Sequence, residues 1–193
     1  MAGPSSAQVI GTVTGLVGSA SVQRADGTGP TPLVLRGEVR EGDILRTSSG
    51  ARLRVALHDE SVLSLGADAE LKLDHLAQSA RPEVSGSLFT LGRGYLRTLV
   101  GRLRPDSLFE VRSPSMVAAV RGTDWIESFI AGTTEIFVAE GRVLATSTAS
   151  PSSDWALLEA GEGVSFTTSA PHTPVVRWGQ EKINRFVEAT RVP

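Results

Sequence analysis

Cysteine is absent from the 193-residue chain, so disulfides, thiolate zinc sites and cysteine nucleophiles are excluded outright. The absence does not decide the compartment, because disulfide-free proteins occur in both redox environments. Lysine is confined to Lys72 and Lys182 and asparagine to Asn184, while arginine, alanine, glycine and valine are plentiful. That usage points to a GC-rich bacterial genome. No uninterrupted apolar run approaches the roughly 18 residues of a transmembrane helix. Residues Met1 to Ala7 have neither the basic n-region nor the apolar h-region of a signal peptide. They read as a mature end carrying a start methionine, and a native signal or anchor is expected to have been removed. A basic excess is also missing: the net charge is −2, which disfavours a nucleic-acid partner. What remains is 40% hydrophobic and 21% charged, a soluble globular composition too apolar for global disorder. A chain of this length buries roughly 70% of its unfolded surface without needing a staple.

The recurring signal is a period of two. Leu53-Arg-Val55-Ala-Leu57, Val62-Leu-Ser-Leu65, Glu70-Leu-Lys-Leu73, Ser87-Leu-Phe-Thr-Leu91, Phe109-Glu-Val111, Ile136-Phe-Val138 and Val164-Ser-Phe166 alternate, as half-buried strands do. Val9, Gly11 and Val13 read the same way. Glycine-bearing turns separate them: Glu41-Gly-Asp43, Ser49-Gly50, Gly92-Arg-Gly94, Glu140-Gly141 and Gly161-Glu-Gly163. The fold class is therefore all-β, with many short strands in a solenoid-like or sandwich-like domain and a C-terminal α-helix. Glu41-Gly-Asp-Ile-Leu45, Glu140-Gly-Arg-Val-Leu144 and Ala160-Gly-Glu-Gly-Val164 hint at a repeated unit without a strict period. Loops are expected at Ala25–Pro32, Ala77–Glu83 and Ser147–Ser153. Near the end, Thr173 is placed to cap a helix and Pro174 to open it. Val175, Val176, Gly179, Ile183, Phe186 and Val187 share one helical face. The spacing predicts a helix near 174–189, so the chain divides into a β-domain over 9–167 and a helical segment over 168–193. That segment either packs on the β-domain or serves for docking.

Catalytic constellations are not found. His58, His75 and His172 are scattered, without the spacing of a metal site. His58-Asp59-Glu60-Ser61 holds the letters of a hydrolase triad, but neighbours on a strand point to opposite faces, so turn residues explain it better. Gly92-Arg-Gly94 lacks the third glycine and the following lysine of a nucleotide loop and reads as a turn. Asp68 with Asp74, or Glu159 with Glu162, cannot be singled out as a glycosidase pair and read as solvated turn charges. No metal and no cofactor is indicated, and the chain is expected not to be an enzyme. Arginines crowd the middle third: Arg93, Arg97, Arg102, Arg104, Arg112 and Arg121. Such a stripe either receives an anionic glycan, lipid head group or acidic protein face, or pairs across the sheet with nearby acids. Arg93, Arg97, Arg102 and Arg104, with Trp178 and Phe186, form the candidate interaction surface. Trp125, Trp155 and Trp178 are the candidates for stacking on a glycan, core packing being the first expectation for Trp125 and Trp155.

The most informative segment is Phe109-Glu-Val-Arg-Ser-Pro-Ser-Met-Val-Ala-Ala-Val-Arg-Gly-Thr-Asp-Trp125. It reads as strand, Ser-Pro turn, small apolar strand, Arg-Gly-Thr turn and strand. Arg121 is expected to be buried or half-buried and paired with Asp124. On that expectation Arg121→Ala lowers stability by about 2–4 kcal/mol.

This segment resembles the signature of the FecR domain family, carried here by Pro114, Val120, Arg121, Gly122, Thr123, Asp124 and Trp125. Gly11-x-Val13, Gly18-x-Ala-x-Val22, Gly42-Asp43-Ile-Leu-Arg46-Thr47, Leu57 to Gly66, Glu140-Gly141 and Ala160 to Val164 resemble its other steps in order, over about residues 9–167. Glu60 stands where the family has glycine, so a turn of another type is expected there. The resemblance implies an all-β, exported, non-enzymatic domain, periplasmic or secreted. Its named type relays a signal from an outer-membrane transducer to a sigma factor, using an anti-sigma segment, a membrane helix and a C-terminal signalling subdomain that this chain does not show. The function expected is an envelope binding or scaffolding module, mediating protein–protein interaction or signal relay with an envelope protein partner. The alternative is a glycan- or peptidoglycan-binding domain. The motif residues Pro114, Arg121, Gly122, Thr123, Asp124 and Trp125 are structural or recognition residues.

Overall fold

The computed structural model describes residues 7–77, 86–101 and 108–193. Most of the expected Ala77–Glu83 loop, and Arg102 and Arg104, lie outside the described residues. The described residues form seventeen strands and one helix. The strands are β1 (Val9–Val17), β2 (Ala20–Gln23), β3 (Thr31–Pro32), β4 (Glu38–Arg40), β5 (Ile44–Thr47), β6 (Arg52–Leu57), β7 (Val62–Leu65), β8 (Glu70–His75) and β9 (Gly86–Leu99). They continue as β10 (Leu108–Arg112), β11 (Met116–Val120), β12 (Asp124–Ile130), β13 (Thr133–Glu140), β14 (Arg142–Ser147), β15 (Trp155–Glu159), β16 (Glu162–Thr167) and β17 (Val176–Arg177). The helix, α1, spans Gln180–Thr190.

The pairings define two sheets. The first runs β4-β1-β6-β7-β9-β12-β13-β16-β17. The second runs β3-β2-β5-β8-β9-β10-β11-β14-β15. After β9 the chain lays hairpins on alternate sheets: β10–β11 on the second, β12–β13 on the first, β14–β15 on the second, β16–β17 on the first. This is the all-β, solenoid-like sandwich that the alternating pattern predicts, and each hairpin covers the flank of its predecessor.

Strand β9 belongs to both sheets. Its first half pairs with β8 and β10 in the second sheet, and its second half pairs with β7 and β12 in the first. Gly92-Arg93-Gly94, read from the sequence as a turn, is instead a bend inside one continuous 14-residue strand. Gly94 has φ +86°, and a Cβ there would come within 2.6 Å of the Ala69 backbone, so only glycine allows the crossing.

Core side chains alternate as the strand period requires. Phe89 stacks on Phe109 at 5.1 Å between ring centroids, and Phe109 meets Trp125 edge-on at 6.1 Å, linking the second sheet to the first. In β1 the simple alternation fails. Ile10 and Val13 are fully buried, not Val9, because the register shifts between Val9 and Gly11 and again between Val13 and Gly15. The turn at 58–60 also departs from expectation. Glu60 has φ +67°, so it takes up the left-handed conformation that glycine favours rather than a different turn type.

The helix starts later than the sequence indicates. Val176 and Arg177 add strand β17 to the edge of the first sheet, and α1 begins after Gly179, so Thr173 does not cap it. Thr173 Oγ1 instead accepts the Ser165 N–H at 3.0 Å. Sheet pairing wins over the local capping signal because the strand is already held beside β16. The helix lies on the outer face of the first sheet, against β9 and β12. There Tyr95, Phe186, Trp178 and Phe137 form a continuous aromatic ladder, with successive centroids 5.1, 4.8 and 5.4 Å apart. Trp178 lies directly over Gly163, where any Cβ would overlap the indole and approach the Ile136 carbonyl to 2.7 Å. Gly163→Ala is therefore expected to expel Trp178 at a cost of about 1–3 kcal/mol. Amide exchange should accelerate over 180–190 while the strands of the second sheet keep their protection; unchanged exchange in the helix would contradict this packing.

Candidate interaction site

The Arg-Gly-Thr motif is the corner at which the chain leaves β11 in the second sheet and enters β12 in the first. Gly122 has φ +60°. Thr123, almost fully buried, donates from Oγ1 to the Arg142 carbonyl at 3.0 Å, and its own carbonyl accepts the Val100 N–H at 3.0 Å. The next corner, at Glu140–Arg142, closes over it: a Cβ on Gly141 would meet Thr123 Oγ1 at 3.0 Å. Pro114 is exposed at the other end of β11, and its carbonyl accepts the Thr148 hydroxyl at 2.7 Å.

The same device recurs in the other half. Thr47 Oγ1 donates to the Gly66 carbonyl at 2.6 Å and accepts the Ala69 N–H at 2.9 Å, pinning the β7–β8 corner. Asp43, fully buried, accepts the Arg40 N–H at 2.7 Å and the Arg24 guanidinium at 2.6 Å. The Gly-Asp-x-Leu-x-Thr step and the Arg-Gly-Thr step thus solve one problem, the unpaired backbone groups of a chain changing sheets.

Arg121 is not buried. It is exposed and makes no ion pair among the described residues. Asp124 pairs instead with Arg97, across from β12 to β9, in a two-pronged contact: Nε to Oδ1 at 2.9 Å and Nη2 to Oδ2 at 2.6 Å. The sequence neighbour loses to the cross-strand neighbour because Gly122 turns the chain and aims Arg121 away from the sheet. Hydrogen bonding to Asp124 raises the Arg97 pKa further, against the opposing effect of burial.

Among the described residues the arginines of the stripe do not share one surface. Arg93 sits at the bend of β9, Arg97 lies on the outer face of the first sheet, and Arg112 pairs with Glu110 on the second. Phe186 is fully buried beneath α1 and presents no surface, and Trp178 is half-buried against Phe137. Trp125 is in the core, whereas Trp155, expected there too, is 56% exposed.

Trp125 leads to a residue that nothing in the sequence singles out. Its indole N–H donates at 2.9 Å to Glu127 Oε2, two positions along β12 and on the same inward face. Glu127 is fully buried, and its Oε1 has no hydrogen-bond partner among the described residues. Burial pushes its carboxyl up to about 8 from an ordinary 4.5, only partly opposed by the Trp125 hydrogen bond. A neutral carboxylic acid in an apolar core is a stability cost that grows with pH.

An exposed apolar surface lies on β14 and β15. Leu144 and Leu157 face each other across the register and are 42% and 51% exposed. Trp155 extends the same outward row, with the half-buried Ala119 and Val117 of β11 beside Leu144 and Thr146. Strand β15 pairs only with β14 among the described residues. The Ser147 N–H donates to the Asp154 carbonyl, so the hydrogen-bonded pairs continue at Ala145–Ala156 and Val143–Leu158. The Leu157 N–H and C=O therefore point outward, along an open edge. Outward apolar residues look like ordinary alternation in the sequence; only the end position of β15 in the sheet marks them as a site.

Stacked hairpins on two sheets, with corners pinned by buried Thr and Asp, define a two-sheet all-β domain. The model of the family described as FecR protein matches residues 43–144, more than half of the chain, and the chain belongs to that family. No curated protein matches the sequence. Two crystal structures of a candidate anti-sigma factor from Parabacteroides distasonis are similar, each with TM-score 0.62, 16% identity and 75% of this chain covered. The overlap takes in 63% and 64% of those two chains, so this chain matches less than two thirds of their length. At that identity the likeness is one of fold.

Two outcomes follow from these geometries. Asp124→Asn should cost about 1–2 kcal/mol in urea unfolding, and Arg121→Ala should stay within about 0.5 kcal/mol of the parent; equal losses would restore the sequence-neighbour pair. For Glu127, the folded state holds its proton between about pH 4.5 and 8, where the unfolded chain has released it. Stability therefore falls as pH rises across that window. Glu127→Gln should flatten the fall and leave the variant about 3–5 kcal/mol more stable than the parent above pH 8. A parallel pH dependence of Tm in parent and variant would contradict it.

Proposed function

We propose that this chain is a non-enzymatic relay module of the bacterial envelope, which engages a protein partner by adding an extended partner segment to the free edge of β15. The observation that carries this reading is the coincidence, at one sheet edge, of outward main-chain groups at Leu157 and the apolar row Leu144, Leu157 and Trp155. Main-chain hydrogen bonds would supply the affinity, and alternate apolar side chains of the partner would lie on the leucine row. The strand has five residues, and the outward N–H of its last one, Glu159, is already accepted by Glu162 Oε2 at 2.8 Å, so the open stretch centres on Leu157; an apolar stretch of edge left open suits a surface covered in use. Membership of the FecR family supports the relay role and a periplasmic or envelope location, and the anti-sigma assignment of the similar Parabacteroides protein agrees with it. Division into a β-domain over 9–167 and a docked segment over 168–193 fits this reading, with α1 on the first sheet and the open edge on the second. The motif residues Pro114, Arg121, Gly122, Thr123, Asp124 and Trp125 serve the corner and the core, and recognition falls to β14 and β15.

The test is transcription in the native cell. Leu157→Pro removes the outward N–H at an edge position where proline is tolerated. At unchanged protein level and Tm, this variant should reproduce the transcript changes of the gene deletion. A photo-crosslinker at position 144 should capture a protein in the parent and lose it in Leu157→Pro. A wild-type transcript profile in the variant would refute the relay through β15.

A further inference from the structure

A pocket of about 520 Å³ opens beside the bend of β9, away from the β15 edge. Its volume falls in the range of small-molecule sites. Tyr95, Phe129 and Ile130 give it an apolar floor, and Ala189 at the end of α1 closes one side. Ile130 is 48% exposed, at the tip of a turn whose Ala131 and Gly132 both have positive φ. Gly50 lines the wall with no atom within 4 Å of a Cβ built on it, so space is left at that side.

The polar groups of the pocket are unbalanced. Arg52 and Arg93 both line it, and neither guanidinium makes an ion pair or hydrogen bond among the described residues. Glu70, which lies opposite Arg93 in the β8–β9 register, is taken by Arg46 at 2.8 Å. Among the described residues Asp68 is the one acid on the wall, and it pairs with neither arginine. The Tyr95 hydroxyl also lacks a partner among the described residues. Two free guanidiniums and a free phenol around an apolar floor match a single negative charge carried on an apolar body: guanidinium binds carboxylate through paired N–H donors, and the aromatic rings take the rest.

We infer that this pocket binds a small amphipathic carboxylate, its apolar body on Tyr95, Phe129 and Ile130 and its carboxylate between Arg52 and Arg93. The ring of Tyr95 also packs edge-on against Phe186 at 5.1 Å, so the pocket floor is shared with the aromatic ladder beneath α1. Ligand in the pocket therefore touches the side chain that seats the helix. This inference is independent of the partner edge, because no residue of the pocket belongs to β14 or β15.

The probes are octanoate and its uncharged counterpart octan-1-ol, titrated into the full chain by calorimetry and by two-dimensional NMR. Octanoate should shift the signals of Tyr95, Phe129, Ile130 and Ala131 and bind at least tenfold tighter than octan-1-ol. In the double variant Arg52→Gln with Arg93→Gln, the tenfold preference should vanish while octan-1-ol binding and Tm stay as in the parent. Both arginines are free of ion pairs, so loss of fold is not expected, and the mapping on the parent protein stands without the variant. No binding of either probe overturns the inference. So does equal affinity for the two, a preference that survives the double substitution, or shifts centred on Leu144 and Leu157.

Discussion

Everything in this fold hangs on one strand having to serve two sheets. β9 is hydrogen-bonded to β8 and β10 along its first half and to β7 and β12 along its second. A strand can change sheets only by bending sharply, and a sharp bend brings backbone against backbone. Gly94 meets that demand, since a Cβ would run into Ala69. The halves before and after β9 are joined to each other through it in both layers, so the two groups of hairpins share one core instead of two. The Phe89, Phe109 and Trp125 contact is the visible consequence: a residue from β9 reaches across the sandwich through its neighbour to the opposite sheet.

The price of such a winding is the corners. Each time the chain changes sheets, backbone donors and acceptors leave one ladder before entering the next, and burial makes them costly unless a side chain answers them. Thr47, Asp43 and Thr123 do so, each fully or almost fully buried and each bonded to backbone. The most recognisable stretches of the sequence are therefore corner hardware. Arg97 and Asp124 then lock β9 to β12 just after such a corner, and Trp125 continues the same strand into the core. Glu127 is the exception to this economy. A half-satisfied carboxyl in the sandwich interior stabilises nothing that the geometry reveals, and it makes the core sensitive to pH.

The two proposed surfaces lie where the winding ends or bends. At its last hairpin on the second sheet, β15 has no further neighbour among the described residues, and its outward face is apolar. At the bend of β9, turns from both halves converge with the end of α1 around an arginine-flanked hollow. The two sites differ in chemistry: an open ladder suits an extended chain, and a cupped aromatic floor with free guanidiniums suits a small anion. The helix connects the hollow to the aromatic ladder that fastens it, so occupancy of the one bears on the seating of the other.

Periodicity, glycine placement and the Arg-Gly-Thr segment were enough to determine an all-β chain, its family and most of its core, because strand alternation and turn chemistry are local properties written residue by residue. Leu53, Val55 and Leu57, or Leu71 and Leu73, are buried as their period demands. Where register slips, as at the bulges of β1, local period misplaces the inward residue. What only the tertiary structure decided is pairing. It chose Arg97 over Arg121 for Asp124, because partners across a sheet are set by topology and not by distance along the chain. It drew residues 176–177 into a strand and shortened the helix, because an available sheet edge outweighs a capping signal. It also left Trp155 outside and closed Phe186 in, since a strand's outer face is bare or covered according to what the rest of the chain lays upon it.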